Sequence, residues 1–325
     1  MLAMIRQGFG GPEKLVAKEV DTPTAGAGEV LIRIRAFGLN HAELYMRKGA
    51  WGDVSVISGI ECVGQVEHDP SGALAKGTTV VTFMGGLGRT RPGTYAQYTT
   101  ALAHHIIPIR TELGWTDLAA IPESYATAWS CLVDHMRLSA GETLLVRAGT
   151  STVGLAAINL ASELGAEVLA TTRSRAKEPV LRAAGAAHVL LEGADLSTRL
   201  RADRPEGVDC VLDLIGNSTL LDSTRAGQRG SRVCVAGFLG GPEPASLDVL
   251  SGLQPGVELS FFASFLYGTK GYPVSNVPMQ TLVNRAARGL YAAKPVRVFA
   301  LKDLPEAHRL MESNEANGKI VIAVE

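Results

Sequence analysis

Glu142-Thr-Leu-Leu-Val-Arg-Ala148 runs directly into Gly149-Thr-Ser-Thr-Val-Gly154 and then into Leu155-Ala-Ala-Ile-Asn-Leu-Ala-Ser-Glu-Leu164. The first piece reads as a strand over 142–148 and the last as a helix over 152–164. Glycines are wanted where a backbone must turn tightly or let another group come close. A loop of this kind aims free N–H groups and a helix N-terminus at one point, which suits a pyrophosphate. Downstream the rhythm repeats, with a strand at 166–172, a helix at 174–184 and short strands at 187–191, 208–213, 231–236 and 258–263. Strands alternating with helices imply a parallel, doubly wound sheet, and so the α/β class.

The loop departs from the strict G-x-G-x-x-G spacing because Ser151 and Thr152 stand in its middle. Gly149, Ser151, Thr152, Val153 and Gly154 are therefore candidate cofactor contacts on context, not on the motif alone. That context is the end of the next strand, Ala170-Thr-Thr-Arg-Ser-Arg-Ala-Lys177. An NAD site carries an acidic residue there to accept from the ribose 2′-hydroxyl. Here Arg173, Ser174, Arg175 and Lys177 crowd the position. A 2′-phosphate, with its charge of up to about −2 and three acceptor oxygens, suits such a cluster. NADPH is expected to be preferred over NADH.

Outward from this core the pattern changes. Residues 1–120 read as short strands at 29–36, 59–66, 78–83 and 95–99, separated by Asp69-Pro70, Ser71-Gly72 and Pro92-Gly93. After about residue 268 a helix at 278–292, a strand at 296–300, a helix at 304–313 and a strand at 319–324 are predicted, and this tail is read as returning to the first domain. The expected domains are 1–122 with 269–325, and 123–268.

With 325 residues, 46% hydrophobic and 19% charged, the chain is long enough for about two globular domains. Thirty-one basic residues against 32 acidic argue against a nucleic-acid or membrane-surface binder. The opening MLAMIRQGFG lacks the apolar core of a signal peptide, and no apolar run is long enough to span a bilayer; Arg147, Glu163 and Glu167 interrupt the most apolar stretch. A cytoplasmic protein is expected. Cys62, Cys131, Cys210 and Cys234 are too dispersed for a zinc clamp and read as buried thiols. His104-His105, taken as part of a strand, would point to opposite faces and make a poor metal site.

Several short segments, in order, resemble the zinc-independent quinone oxidoreductase group of the medium-chain dehydrogenase/reductase superfamily. They are Gly38-Leu-Asn-His-Ala-Glu-Leu-Tyr45, Gly59-Ile-Glu-Cys-Val-Gly64, Gly93-Thr-Tyr-Ala-Gln-Tyr98, Ile121-Pro-Glu-Ser-Tyr-Ala-Thr-Ala-Trp129, Asp213-Leu-Ile-Gly216 and Gly318-Lys-Ile-Val-Ile322. The resemblance implies a GroES-like β-rich catalytic domain into which a Rossmann domain is inserted, and a homodimer formed through the Rossmann edge strand near 258–263. Where zinc relatives have Gly-His-Glu this chain has Gly59-Ile60-Glu61, and Asn40 replaces a Cys ligand, so no metal is expected. A Tyr that contacts the cofactor in some relatives corresponds to Glu192.

Without a Lewis acid to polarise an alcohol, hydride delivery to an electron-poor quinone or α,β-unsaturated carbonyl is the expected reaction. By the resemblance, Asn40 orients nicotinamide or substrate, and Tyr45 either donates to the carbonyl oxygen or forms a flat wall. Thr127, Phe238 and Phe265 match positions beside the cofactor. Glu43 and Glu61 are expected to be structural carboxylates paired with backbone or arginine. The alternatives are an enoyl-thioester reductase and a non-catalytic nucleotide-binding or structural protein of the same fold.

Overall fold

Strand β1 (Leu2–Arg6) pairs antiparallel with β2 (Leu15–Glu19) as a two-stranded ribbon. The longest strand, β3 (Glu29–Gly38), then pairs with both β4 (Glu61–His68) and β6 (Tyr98–Leu102), while β5 (Thr79–Phe83) bridges β4 to β7 (Ile106–Pro108). The computed structural model describes residues 1–241, 243–291 and 293–325. Its contacts divide the chain into two units: Met1–Glu123 with Ser264–Gly289 and Ala293–Glu325, and Ser124–Ala263 with Leu290 and Tyr291.

The second unit holds β8 (Thr143–Arg147), β9 (Glu167–Thr172), β10 (His188–Leu191), β11 (Val208–Asp213), β12 (Gly227–Val235) and β13 (Glu258–Phe261). All its pairings are parallel, in the order β10-β9-β8-β11-β12-β13. The order reverses direction at β8, so the loop after β8 lies at the switch point where such sheets bind ligands. Leu144, Leu145 and Val146 are wholly buried, as a central strand covered on both faces requires. The chain then returns to the first unit, where β14 (Arg297–Ala300) and β15 (Ile320–Ala323) extend the sheet from β3. Val30, Ile32, Ile34, Phe37, Ile320 and Ile322 belong to that unit's apolar core.

Several expectations need correction. Residues 264–268 lie in the first unit: the Gly85 N–H donates to Tyr267 O, and the Tyr267 ring meets Phe83 edge-on at 5.2 Å. The helix predicted at 278–292 spans Met279–Ala287; Tyr291 instead stacks on Tyr125 in the second unit, and Ala292 lies outside the described residues. The strand predicted at 95–99 begins at Tyr98, because Tyr95 and Ala96 are already engaged by β1 through Met4 N–H to Tyr95 O and the Ala3–Ala96 bridge. His104 and His105 sit on a 3₁₀ turn, Ala103–His105, with ring centroids 4.1 Å apart. Strands β1, β2 and β7 and the helices His41–Lys48, Leu196–Asp203 and Leu220–Ala226 are structure that sequence patterning does not announce.

Candidate functional site

In the second unit, β8 ends at Arg147 and the next residue, Ala148, takes a left-handed backbone with φ of 59°. That conformation is uncommon for a residue with a Cβ. It is held in place because the Ala148 N–H donates to Thr171 Oγ1 at 3.0 Å and the Gly149 N–H to Thr171 O at 3.0 Å. Ser151 caps the helix Thr152–Glu163, its Oγ accepting from the Gly154 N–H at 3.1 Å. This leaves the N–H groups of Thr152 and Val153 without a partner among the described residues, at the positive end of a twelve-residue helix. A Cβ on Gly154 would lie 2.6 Å from Ala148 O and 2.7 Å from Gly149 O, so only glycine lets the helix begin this close to the loop. Gly149 packs in the same way against Ala170 and Thr171 O.

The basic cluster joins this loop through β9. Thr172 Oγ1 accepts from the Ser174 N–H at 3.2 Å, which turns the chain outward just after the Thr171 contacts. Arg173, Ser174 and Arg175 are exposed and Lys177 is partly so. Thr127 is buried on the helix Pro122–Trp129. Phe238 meets Phe261 edge-on at 5.7 Å, and a Cβ on Gly216 would touch its ring. Phe265, by contrast, belongs to the first unit.

Beneath the loop lies a network that sequence reasoning missed. The Arg147 guanidinium is fully buried and pairs with both Glu192 and Asp222, the latter at 2.7 Å. Its Nη1 also donates to Ser223 Oγ at 3.1 Å, and that hydroxyl donates to Asp213 Oδ2 at 2.5 Å. Burial works against the charged guanidinium, but Glu192, Asp213 and Asp222 outweigh it and move its pKa up. Glu192 in turn accepts from Thr171 Oγ1 at 2.7 Å. Glu192 thus anchors the hydroxyl that holds Ala148.

In the first unit, Asn40 precedes the helix His41–Lys48, and its N–H donates to Glu43 Oε2 at 2.8 Å. Its side chain is engaged at both ends: Nδ2 donates to Glu61 Oε1 at 2.9 Å, and Oδ1 accepts from Lys319 Nζ at 2.7 Å. Lys319 also pairs with Glu61 Oε1 at 2.7 Å, while Glu61 Oε2 accepts from the Glu123 N–H. Glu43, fully buried, accepts from the Ile60 N–H as well; burial, then the nearby Glu61 charge, push its pKa up to about 8. Both carboxylates accept from backbone N–H groups, and the cation beside them is Lys319, not an arginine. At the two positions that the resemblance assigns to zinc ligands, the chain has the apolar Ile60 and Asn40, whose amide oxygen is already bonded to an ammonium. That donor set does not fit a zinc ion. Among the described residues no group of three or more His, Cys, Asp or Glu is placed to hold a metal.

Tyr45 lies on the same helix, half-buried, its ring stacked on Trp51 with centroids 6.1 Å apart. Burial raises its phenol pKa, so the hydroxyl keeps its proton at neutral pH. No helix among the described residues is long and apolar enough to cross a membrane.

The two units are a GroES-like domain and a dinucleotide-binding α/β domain. Residues 26–111 match the alcohol dehydrogenase GroES-like domain model, and residues 152–276 match the model described as zinc-binding dehydrogenase. Mouse quinone oxidoreductase is 30% identical over 71% of this chain and 72% of its own length. A phenolphthiocerol/phthiocerol polyketide synthase of Mycobacterium tuberculosis is 29% identical over 99% of this chain, which spans 15% of that relative's length. A mycobacterial protein solved in complex with NADPH superposes with a TM-score of 0.88 at 26% identity, covering 99% of this chain and all of the other. The chain belongs to the medium-chain dehydrogenase/reductase superfamily, in its quinone-oxidoreductase-type branch.

Proposed function

We propose that the chain is an NADPH-dependent, zinc-independent reductase that passes hydride to a quinone or an α,β-unsaturated carbonyl. The observation that carries this reading is the loop after β8, whose Thr152 and Val153 N–H groups have no partner among the described residues and whose Ala148 and Gly149 N–H groups are bonded to Thr171, two positions before the Arg173–Lys177 cluster begins. The loop would hold the pyrophosphate of the cofactor, and Arg173, Ser174 and Lys177 would hold a 2′-phosphate. When bound, NADPH supplies the hydride. The chain's part is to orient both partners and to stabilise charge on the acceptor oxygen. Tyr45, kept protonated, is suited to donate a hydrogen bond to that oxygen; Asn40, clamped by Glu61 and Lys319, is suited to fix the neighbouring wall. Thr127, Phe238 and Phe265 are assigned to the nicotinamide surroundings.

The mouse quinone oxidoreductase supports a quinone acceptor. The match of nearly the whole chain to a polyketide synthase segment supports an enoyl thioester as the second reading. We further propose a cytoplasmic homodimer. Strand β13 ends the sheet and exposes Leu259 and Phe261, an edge that a second copy would cover, and four buried cysteines with no disulfide among them suit a reducing compartment.

The test is NADPH consumption with quinones, enones and enoyl thioesters. Turnover with none of them despite tight NADPH binding refutes the reductase reading. Arg173→Ala should lower the NADPH-over-NADH preference by about tenfold; an unchanged preference means the 2′-phosphate is held elsewhere.

A further inference from the structure

The segment after β5 contains two arginines with different fates. Arg91 is paired with Glu29 at 2.5 Å and bonds Thr100 Oγ1. Arg89 has no such partner: among the described residues its side chain makes no hydrogen bond or ion pair with protein. Its Cζ instead lies over the Trp51 ring at 5.4 Å and over the Phe265 ring at 4.6 Å. Its backbone is fixed, because the Arg89 N–H donates to Gly86 O and the Ser55 N–H donates to Arg89 O, each at 3.0 Å. Trp51 in turn stacks on Tyr45.

A guanidinium that rests on aromatic rings keeps its in-plane N–H groups free, and those N–H groups match the two oxygens of a carboxylate, sulfonate or phosphate. Ring contact also restrains a flexible side chain before any ligand arrives, which lowers the ordering cost of binding. The aromatic surface of Trp51 and Tyr45 beside it suits a flat conjugated acceptor. We propose that Arg89 is a specificity-determining residue for the acceptor, and that the preferred acceptor carries an anionic group beside its electron-poor carbonyl system. This rests on the reductase reading above and narrows its substrate class.

Two matched pairs of acceptors test it: a naphthoquinone against its ring sulfonate, and crotonyl-coenzyme A against the uncharged crotonyl N-acetylcysteamine thioester. The quantity is the anionic-to-neutral ratio of kcat/KM, in wild type, Arg89→Lys and Arg89→Met. Taking the ratio within each protein cancels the intrinsic reactivity of the acceptors. The ratio should fall roughly tenfold in Arg89→Met and by less in Arg89→Lys, in at least one pair. A fall confined to the thioester pair identifies a carrier phosphate as the anion, and a fall confined to the quinone pair identifies a ring substituent. A ratio unchanged in both pairs overturns the proposal. So does a fall matched by an equal loss of NADPH affinity, which would place Arg89 on the cofactor.

If the wild type turns over none of the four acceptors, the reductase reading fails by itself. Calorimetric binding of the naphthoquinone sulfonate to the NADPH-loaded protein then still decides the role of Arg89. Tighter binding to wild type than to Arg89→Met supports it, and equal binding overturns it.

Discussion

In the first unit two buried carboxylates, Glu43 and Glu61, share the neighbourhood of one ammonium, Lys319. In the second a single guanidinium, Arg147, is met directly by Glu192 and Asp222 and, through Ser223, by Asp213. Charge is thus buried in both units with more acid than base, yet the surplus is handled differently. The second unit supplies hydroxyl donors: Thr171 reaches Glu192, Ser197 reaches Asp222, and Thr219 and Ser223 reach Asp213. The first unit supplies Glu43 only with two backbone N–H groups and leaves it facing Glu61, and protonation is what relieves it. One network meets its surplus acid with hydroxyl donors; in the other, Glu43 holds a proton.

Removing the guanidinium should have the greatest effect on either network. Arg147→Met should cost roughly 3–5 kcal/mol, since Glu192 and Asp222 lose their cation while still largely buried. The expected drop in melting temperature is about 10 °C, with weaker NADPH binding because Glu192, which anchors Thr171, loses the cation that positions it. A drop of only a degree or two would mean that the hydroxyls alone carry the network.

Lys319→Met is expected to cost less, roughly 2–4 kcal/mol, because Glu61 still accepts from Asn40 Nδ2 and the Glu123 N–H once its cation is gone. The double change Lys319→Met with Glu61→Gln should recover part of that loss in chemical denaturation. Additive losses would show that Lys319 acts by packing against Gly38, where its Cε lies 2.2 Å from the position a Cβ would take.

Glu43 separates the two networks by pH. Its carboxyl has a pKa of about 8 in the fold against 4.5 for the ordinary group. The folded chain therefore holds a proton that the unfolded chain releases throughout this window, and stability falls as pH rises from about 4.5 to 8. Glu43→Gln should remove that slope, about 1.4 kcal/mol per pH unit inside the window, whatever it does to stability at a single pH. Denaturation curves across the window check this; a slope retained in the variant would assign it to another group.

How much of this is legible from residues follows the range of the interactions. The alternation that builds β8 to β13 is local, and apolar runs bounded by glycines mark it. The loop 149–154 and the cluster 173–177 are equally local, lying within one βαβ unit. Lys319, by contrast, stands 258 positions from Glu61, and no spacing within either segment announces the pair. Arg147 reads in sequence as an interruption of an apolar stretch; a charge at the end of a central strand, just before a phosphate-type loop, is the signal that it has to be paired. The helix His41–Lys48 escapes a sequence reading because its start is set by Glu43 reaching back to Asn40, a contact between two residues that the chemistry had already claimed for other roles.

The smallest expected effect probes the link between network and loop. Thr171 Oγ1 donates to Glu192 and accepts from the Ala148 N–H, so Thr171→Val removes both bonds with almost no change in shape. Glu192 keeps Arg147, and the stability cost should stay near 1 kcal/mol. Ala148, however, loses the side-chain acceptor that helps hold its left-handed backbone, and the loop it begins is the proposed pyrophosphate cradle. NADPH affinity should therefore fall about fivefold while the melting temperature of the free protein moves little. Equal loss of stability and affinity would make Thr171 an ordinary core hydroxyl; a loss of affinity alone would show that the buried charges of the second unit set the geometry of its loop.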